Sequence, residues 1–456
     1  MKKLIYIALA GAALFGSTGC RKYVEIDQVG KRTLHYTSDY QNILNNIDAV
    51  EQSYYYSTLA SDEMSVYDDM YANAMSDQEK SVYRWAADLF GDTNDTDWDA
   101  LYKSIFMFNQ VADEVMDSDG GTDKQKRSIR AAAQVHRAYA YWVLVNTYAK
   151  QYDATTAATD PGVPMLLQPV FFVNLKRATV EQVYTQIKKD LTEAIADLPA
   201  TSQFNTFPSQ AAAFAVLART CLQMGAYADA GRFADSALLR KNGLLDLNDH
   251  ISDPFTLPAR FNDPELIFSK SLNGVGVLAL SQETIDLFDA NDLRYELFTA
   301  DGQEVFFRPF NGRTYFRYLR TFGTTGYVLQ IGLNVPEMML IKAESLARAN
   351  NGGDAVDILN TLRQKRFRAA DYVALSATTA DEALDLVIEE RRRELLGGGI
   401  RWFDQKRLNK EPHFAKTVTR QLLGETYTLA PNSNRYVFPI GSKYILLNPE
   451  IEQNPR

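Results

Sequence analysis

Residues 390–407 read ERRRELLGGGIRWFDQKR, and six of the eighteen positions are Arg or Lys. Three readings compete: a basic patch for nucleic acid, a glycine loop for phosphate, or scaffold. Glu389, Glu390 and Glu394 interleave with Arg391, Arg392 and Arg393 at helical spacing. That spacing favours ion pairs within and between helices over a bare basic face. Gly397–Gly399 follow directly, where glycine ends helices by adopting positive φ. The stretch therefore predicts a helix, a stop, and a re-entrant segment with Trp402 and Phe403 packed down. It is scaffold.

The whole chain agrees. It has 456 residues and a net charge of −9, which argues against a general nucleic-acid binder. A 46% hydrophobic content allows a large core.

The N-terminus carries an address. Lys2 and Lys3 precede an apolar run, Leu4–Phe15, then small residues and Cys20. The run is too short to span a bilayer. It has the form of a secretory signal, and the cysteine after the small residues resembles a bacterial lipoprotein signal lipidated at Cys20. Ser17 departs from that pattern, which usually has an aliphatic residue there. Removing residues 1–19 leaves 46 basic and 57 acidic residues, net −11. Cys221 then stands alone in an apolar helix pattern, so it reads as a buried thiol and no disulfide framework forms. Residues 20–35 read as a lipidated tether and 36–456 as one domain. No later segment has the uninterrupted apolar length of a transmembrane helix.

Most of the body has helical periodicity. Helices are expected over 38–59 with Ser38 as N-cap, and over 98–116 and 126–150. Another is expected over 179–199, opened by a Thr cap and stopped at Pro199. Residues 210–239 read as two helices joined at Gly225, with Ala226, Ala230, Ala234 and Ala237 lining the second. Residues 335–367 repeat the plan around Asn350–Gly353, and 381–396 follow. These units resemble degenerate tetratricopeptide repeats. The scaffold is thus expected mainly in 36–59, 98–240 and 335–410. Residues 60–97 and 244–334 break the texture, with short strands expected at 265–272 and 303–320. They are too long to be idle loops and read as a ligand lobe.

Motifs for catalysis are sparse. NGVGVLA (273–279) lacks the strand–helix alternation of a dinucleotide site and reads as a glycine loop. DTNDTDWD (92–99) fails the EF-hand register at Ala100 and Phe106. It reads as a solvated loop capping the helix at Trp98, with a structural Ca²⁺ as the alternative. His35, His136, His250 and His413 are scattered. There is no HExxH, C-x-x-C, G-x-S-x-G or P-loop motif. With 57 acids present, a glycosidase pair is not excluded, though no motif marks one.

ERRRELLGGGIRWFDQKR resembles the C-terminal signature of the SusD/RagB family of outer-membrane nutrient-binding lipoproteins. VFPIGSKYILLNPEIEQNP (437–455), PGVPMLLQPV with the helix ending at Pro199, and QAAAFAVLARTCLQMGAYADAGRFADSAL resemble it too. Gly398 and Gly441 depart from the family's usual Glu and Pro. The resemblance implies a mostly α, tetratricopeptide-like scaffold beneath a loop-rich lobe with a few short strands. It implies no catalysis and no cofactor. It also implies a lipid anchor in the outer membrane facing the cell surface, a TonB-dependent transporter as partner, and an oligosaccharide or peptide as ligand.

Sugars suit aromatic faces flanked by hydrogen-bonding groups. The lobe supplies Tyr67, Tyr71, Tyr83, Trp85 and Asp92 in its first part. Its second part supplies Phe306, Arg308, Tyr315, Tyr318 and Tyr327. A surface glycoside hydrolase and a ligand-free envelope scaffold are the rival readings.

Overall fold

The computed structural model describes residues 34–171, 173–271, 279–306, 312–315 and 331–456. Cys20, the leader and most of the tether lie outside them.

The long helices of the scaffold pack each on the next. α1 (Thr37–Leu44), α2 (Ile47–Val50) and α3 (Tyr56–Ala60) come first. The continuous helix expected over 38–59 is therefore three short ones. Its cap is Tyr36, where Asp39 accepts the Tyr36 and His35 amides at 2.9 and 3.1 Å, and not Ser38. The break before α3 has a tertiary cause. The Asp97 carboxylate, from another helix, accepts the Tyr55 and Tyr56 amides at 2.8 and 3.0 Å. Spacing along one segment cannot reveal a carboxylate supplied from forty residues away.

After β1 (Met64–Ser65), α4 (Asp68–Asn73) and α5 (Asp77–Tyr83), the long helices begin. α6 (Thr96–Glu114) starts at Asp95, whose side chain accepts the Asp97 and Trp98 amides. So the 92–99 acids are only partly a solvated loop. Asp92 is exposed, but Asp95 and Asp97 are buried and spent on backbone amides and the Tyr148 hydroxyl. α7 (Asp123–Tyr148) opens with a Thr122–Gln125 capping box. A strand pair, β2 (Pro161–Pro164) and β3 (Arg177–Thr179), leads to α8 (Val180–Ala194), capped by Thr179 and Gln182 as the sequence predicts.

α9 (Gln210–Gln223) and α10 (Tyr227–Leu238) turn at Gly225, where φ is +72°. Buried Ala230, Ala234 and Ala237 let α10 lie close to α14 (Val335–Arg348). A Cβ on Gly231 would fall 2.7 Å from the Ser345 Cβ. α14 pairs with α15 (Gly352–Arg363), and both pack on α16 (Ala380–Glu394). Between α10 and α14 lie β4 (Leu266–Phe268), β5 (Ala279–Leu280), α11 (Gln282–Ile285), α12 (Leu293–Phe298), β6 (Thr299–Asp301), α13 (Gly302–Phe306), β7 (Arg313–Tyr315) and β8 (Leu333–Asn334). Of the strands expected in this part, 265–272 is realised as β4, paired with β8. Of the 303–320 strand, the described residues show 303–306 helical and 313–315 extended, and the rest lies outside the described residues.

α17 (Arg401–Leu408) is the re-entrant segment, with Trp402 and Phe403 fully buried. A hairpin follows, β9 (Val418–Leu422) and β10 (Glu425–Leu429), and then α18 (Ser442–Leu447). The hairpin escaped the sequence reading. Its turn, Leu423–Gly424, has φ of +51° and +81°, the handedness a two-residue hairpin loop requires.

One junction ties the two ends of the chain together. α7 ends inside the protein, where its last four carbonyls have no helical partner. Lys406 Nζ donates to Asn146 O and, at 2.9 Å, to Ala149 O. The Phe438 amide donates to Thr147 O at 2.9 Å. Asn454 Nδ2 donates to Tyr148 O at 2.7 Å, and Arg177 donates to the same oxygen at 3.1 Å. Three of the four partners' side chains or amides come from the last fifty-one residues.

Asn454 also donates to Phe438 O at 2.8 Å, so it serves two buried acceptors. Asn454→Ala should destabilise the protein by about 1–3 kcal/mol. Urea unfolding of the two proteins measures that difference.

Candidate ligand surface

The two irregular regions meet in one sheet, ordered β1–β5–β7–β6 and antiparallel throughout. Met64 faces Leu280 and Ser65 faces Ala279. Ala279 and Ala300 both face Thr314, Thr299 faces Tyr315, and Asp301 faces Arg313. Sequence reasoning placed the regions in one lobe but had no signal for the pairing, because the strands are two or three residues long.

The sheet is fastened to the scaffold by the opening motif. Gly397 has φ of +76°, and a Cβ there would overlap the Tyr315 ring. Gly399, at +67°, sits against Tyr54 and Thr58, and the Tyr54 hydroxyl donates to Gly398 O at 3.0 Å. The triple glycine is thus both a helix stop and a seat for β7 and α3. Arg401 makes a two-pronged bond to Asp62, at 2.7 and 2.8 Å. Burial alone would raise the Asp62 pKa. The Arg401 charge and its hydrogen bonds overcome that and hold the carboxyl below the usual range. Its neighbour Glu63 has no such partner. Burial, and then the Asp62 charge, push Glu63 up to about 8, so it is a neutral acid at pH 7.

Of the residues singled out from the sequence, Tyr83 and Trp85 belong to the core, not to a ligand surface. The Arg420 guanidinium from β9 lies 3.7 Å from the Tyr83 ring centre and 4.3 Å from that of Trp85. Trp85 Nε1 donates to Ala60 O at 2.9 Å, and the Val66 amide donates to the Tyr83 hydroxyl at 3.0 Å. Trp85 also has φ of +53°, a conformation that costs about 1–2 kcal/mol in a non-glycine residue. Tyr71 and Tyr315 are buried as well. Asp92 is exposed in the loop before α6. The Phe306 backbone ends α13, and its side chain, with Arg308, Tyr318 and Tyr327, lies outside the described residues, as does the glycine loop 273–278.

Of the aromatics singled out from the sequence, Tyr67 is the described one that reaches the lobe's surface, half-buried on Met70 and Ala279. Burial, then the Asp301 charge, push its phenol up to about 12. Its hydroxyl lies 3.5 Å from where a Cβ on Gly312 would stand. Next to Gly312 in the chain, Arg313 faces Asp301 across the strands, and its guanidinium lies 4.1 Å from the Tyr295 ring centre and donates to Thr299 Oγ1 at 2.9 Å. The Tyr67 phenol thus lies by the Gly312 end of the β6–β7 pair, in the field of the Asp301 carboxylate, and such groups can hydrogen-bond a polyhydroxylated ligand. Asp301 and Arg313 were not foreseen, since only the register of β6 against β7 brings them there. Among the described residues, no group of His, Cys, Asp or Glu side chains is arranged to hold a metal ion. No helix among them is long and apolar enough to cross a membrane.

Two family models match this chain. One, described as starch-binding and associating with the outer membrane, covers residues 23–222, and the SusD family model covers 335–456. The chain belongs to the SusD/RagB family. Its fold agrees with that of a SusD superfamily protein from Bacteroides thetaiotaomicron. The TM-score is 0.75 at 20% identity, covering 92% of this chain and 100% of that one. A laminarin-binding SusD-like protein aligns with a TM-score of 0.69 at 18% identity, covering 92% and 99%. SusD-like protein P38 from Formosa agariphila is 31% identical over 125 residues, 26% of this chain and 22% of that protein. The SusD-type matches divide at a telling place. Residues 223–334, which lie between the two, contain β5, β6 and β7.

Glu63 gives a pH test of this junction. Its folded pKa lies above the unfolded one, so the stability it contributes is full below about pH 4.5 and is lost as pH rises toward 8. Glu63→Gln removes that loss. The stability of the variant relative to the parent should rise by about 3 kcal/mol from pH 5 to pH 8. Denaturant melts at both pH values check it.

Proposed function

We propose that this protein is a lipid-anchored, non-catalytic binding protein of the outer membrane. It captures an oligosaccharide at the lobe sheet and delivers it to a TonB-dependent transporter. The anchor is Cys20, and the protein faces the cell surface. The observation that carries the reading is that Tyr67, from the first irregular region, lies by the Gly312 end of the β6–β7 pair, where Asp301 faces Arg313, on a SusD-type scaffold. Family membership and the laminarin-binding relative support a glycan over a peptide. The one acid of this group gives no reason to expect hydrolysis, because Asp301 faces an arginine across the strands and not a second carboxylate.

Calorimetric titration with laminarin, starch, acidic glycans and mixed peptides tests the reading. At least one glycan should bind. Tyr67→Ala and Arg313→Ala should each weaken it about tenfold, equivalent to about 1.4 kcal/mol. Turnover of a bound glycan, abolished by one Asp or Glu substitution, would replace this reading with the glycosidase one. Absence of binding to every glycan and peptide, with the transporter present, would contradict it.

A further inference from the structure

Five large apolar side chains that stand exposed among the described residues fall in one place. Val170, Phe171 and Val173 lie on the connection between β2 and β3, and Leu446 and Leu447 end α18. Phe171 is 72% exposed, and the two leucines are 84% and 67% exposed. Both segments sit along one stripe of α6, where Trp98, Tyr102 and Phe106 recur at every fourth residue. The Tyr444 ring stacks 5.8 Å from Trp98, and the Phe171 ring lies 5.0 Å from Phe106, about 12 Å further along the helix. Just past α18, Glu450 accepts the Leu175 amide at 2.9 Å, which ties the two segments together. A monomeric surface rarely gathers this much exposed hydrocarbon without a partner.

The charges on the same segments are mostly cationic. Lys103 stands three residues before Phe106, Lys176 three after Val173, and Lys443 three before Leu446, and all three are exposed. None has a carboxylate within ion-pair distance among the described residues, and Lys443 donates to the neutral Asn94 side chain at 2.6 Å. Of the acids on 99–107, 168–177 and 442–452, Asp99 accepts the Tyr444 hydroxyl at 2.7 Å and Glu450 is spent on the Leu175 amide, which leaves Glu452. In a chain of net charge −9, this face is a local reversal of sign.

We infer that this face seats the protein on an anionic lipid surface. Phe171, Leu446 and Leu447 enter the boundary between headgroups and acyl chains, and Lys103, Lys176 and Lys443 meet the lipid phosphates. Lysine is depleted at protein–protein interfaces, whereas its long stem and charged head suit a membrane boundary. The point where the chain enters the body favours the same partner. Leu34 packs with Val111 and Val115 of α6, the helix that carries the patch. Cys20 precedes Leu34 by fourteen residues, a reach of at most about 50 Å. The geometry rests on the lipid anchor of the proposed function, because a chain held at Cys20 keeps this face within reach of the bilayer. Seating it then fixes one orientation of the body above the membrane, where a tether alone would allow many.

The test uses the mature chain with Cys20→Ser, which carries no lipid. It is co-sedimented with vesicles of phosphatidylethanolamine and phosphatidylglycerol, and separately with vesicles of phosphatidylcholine. The chain should bind the anionic vesicles at least tenfold more tightly than the neutral ones, and added salt should weaken that binding. Phe171→Asp with Leu446→Asp should abolish it. Lys103→Glu with Lys176→Glu should weaken it at least tenfold, and this pair keeps the test open should the aspartates disturb folding. The proposal is overturned if the chain ignores anionic vesicles, if it binds both kinds equally, or if both double variants bind like the parent. A dimer of the parent that Phe171→Asp dissociates would also overturn it, by giving the face to a second copy. Mass spectrometry of the native protein reads acylation of Cys20 separately, so a failed anchor and a failed face are told apart.

Discussion

A helix that ends in the interior must have its last carbonyls met by something other than water, and α7 imposes that demand on the rest of the chain. The partners are Lys406 from the re-entrant helix, the Phe438 amide, and Asn454, third from the end, with Arg177 reinforcing one oxygen. The first family match contains α7 and the second contains Lys406, Phe438 and Asn454. The two family-matched blocks of the chain are thus halves of one hydrogen-bonded junction. This gives a physical reason for the form of both terminal motifs. "DQKR" supplies a long cation that reaches two carbonyls, and "QNP" supplies an amide that can donate twice.

Around that junction the scaffold is cross-linked by buried charge. Arg294 is fully buried among Asp292, Glu390 and Glu394, and Arg366 bridges Glu394 to Glu265. A second chain runs from Arg391 through Asp404 and Arg407 to Glu344. Such networks add little net stability compared with apolar packing, but breaking one leaves an uncompensated charge in the core. Their effect is to fix how α12, α15, α16 and α17 sit against one another. Arg401 and Arg420 extend the same logic to the lobe, where each meets groups in residues 59–85. The small sheet is therefore held on a rigid base, although its own strands are short.

The sequence made the scaffold legible because the scaffold rests on local rules. Helical periodicity, the Thr179–Gln182 cap, the Gly225 turn and the Glu/Arg interleaving are each visible within about twenty residues, and each is present in the structure. The failures were nonlocal. The helix expected over 38–59 is broken by Asp97, and the aromatic pair Tyr83–Trp85 is buried by Arg420, more than three hundred residues away. The ligand surface was the least legible part. An aromatic residue in an irregular stretch looks the same in sequence whether it faces solvent or an arginine. Asp301 and Arg313 become neighbours only through strand register.

The central claim is that α7's last turn and the C-terminal segment form one cooperative unit. Native-state hydrogen exchange measures it directly. The account predicts that the amides of Tyr148, Ala149 and Phe438 open with one common free energy, and that Asn454→Ala lowers all three together. Exchange of Phe438 at a much lower free energy than Tyr148 and Ala149, with the α7 amides unmoved by Asn454→Ala, would contradict it.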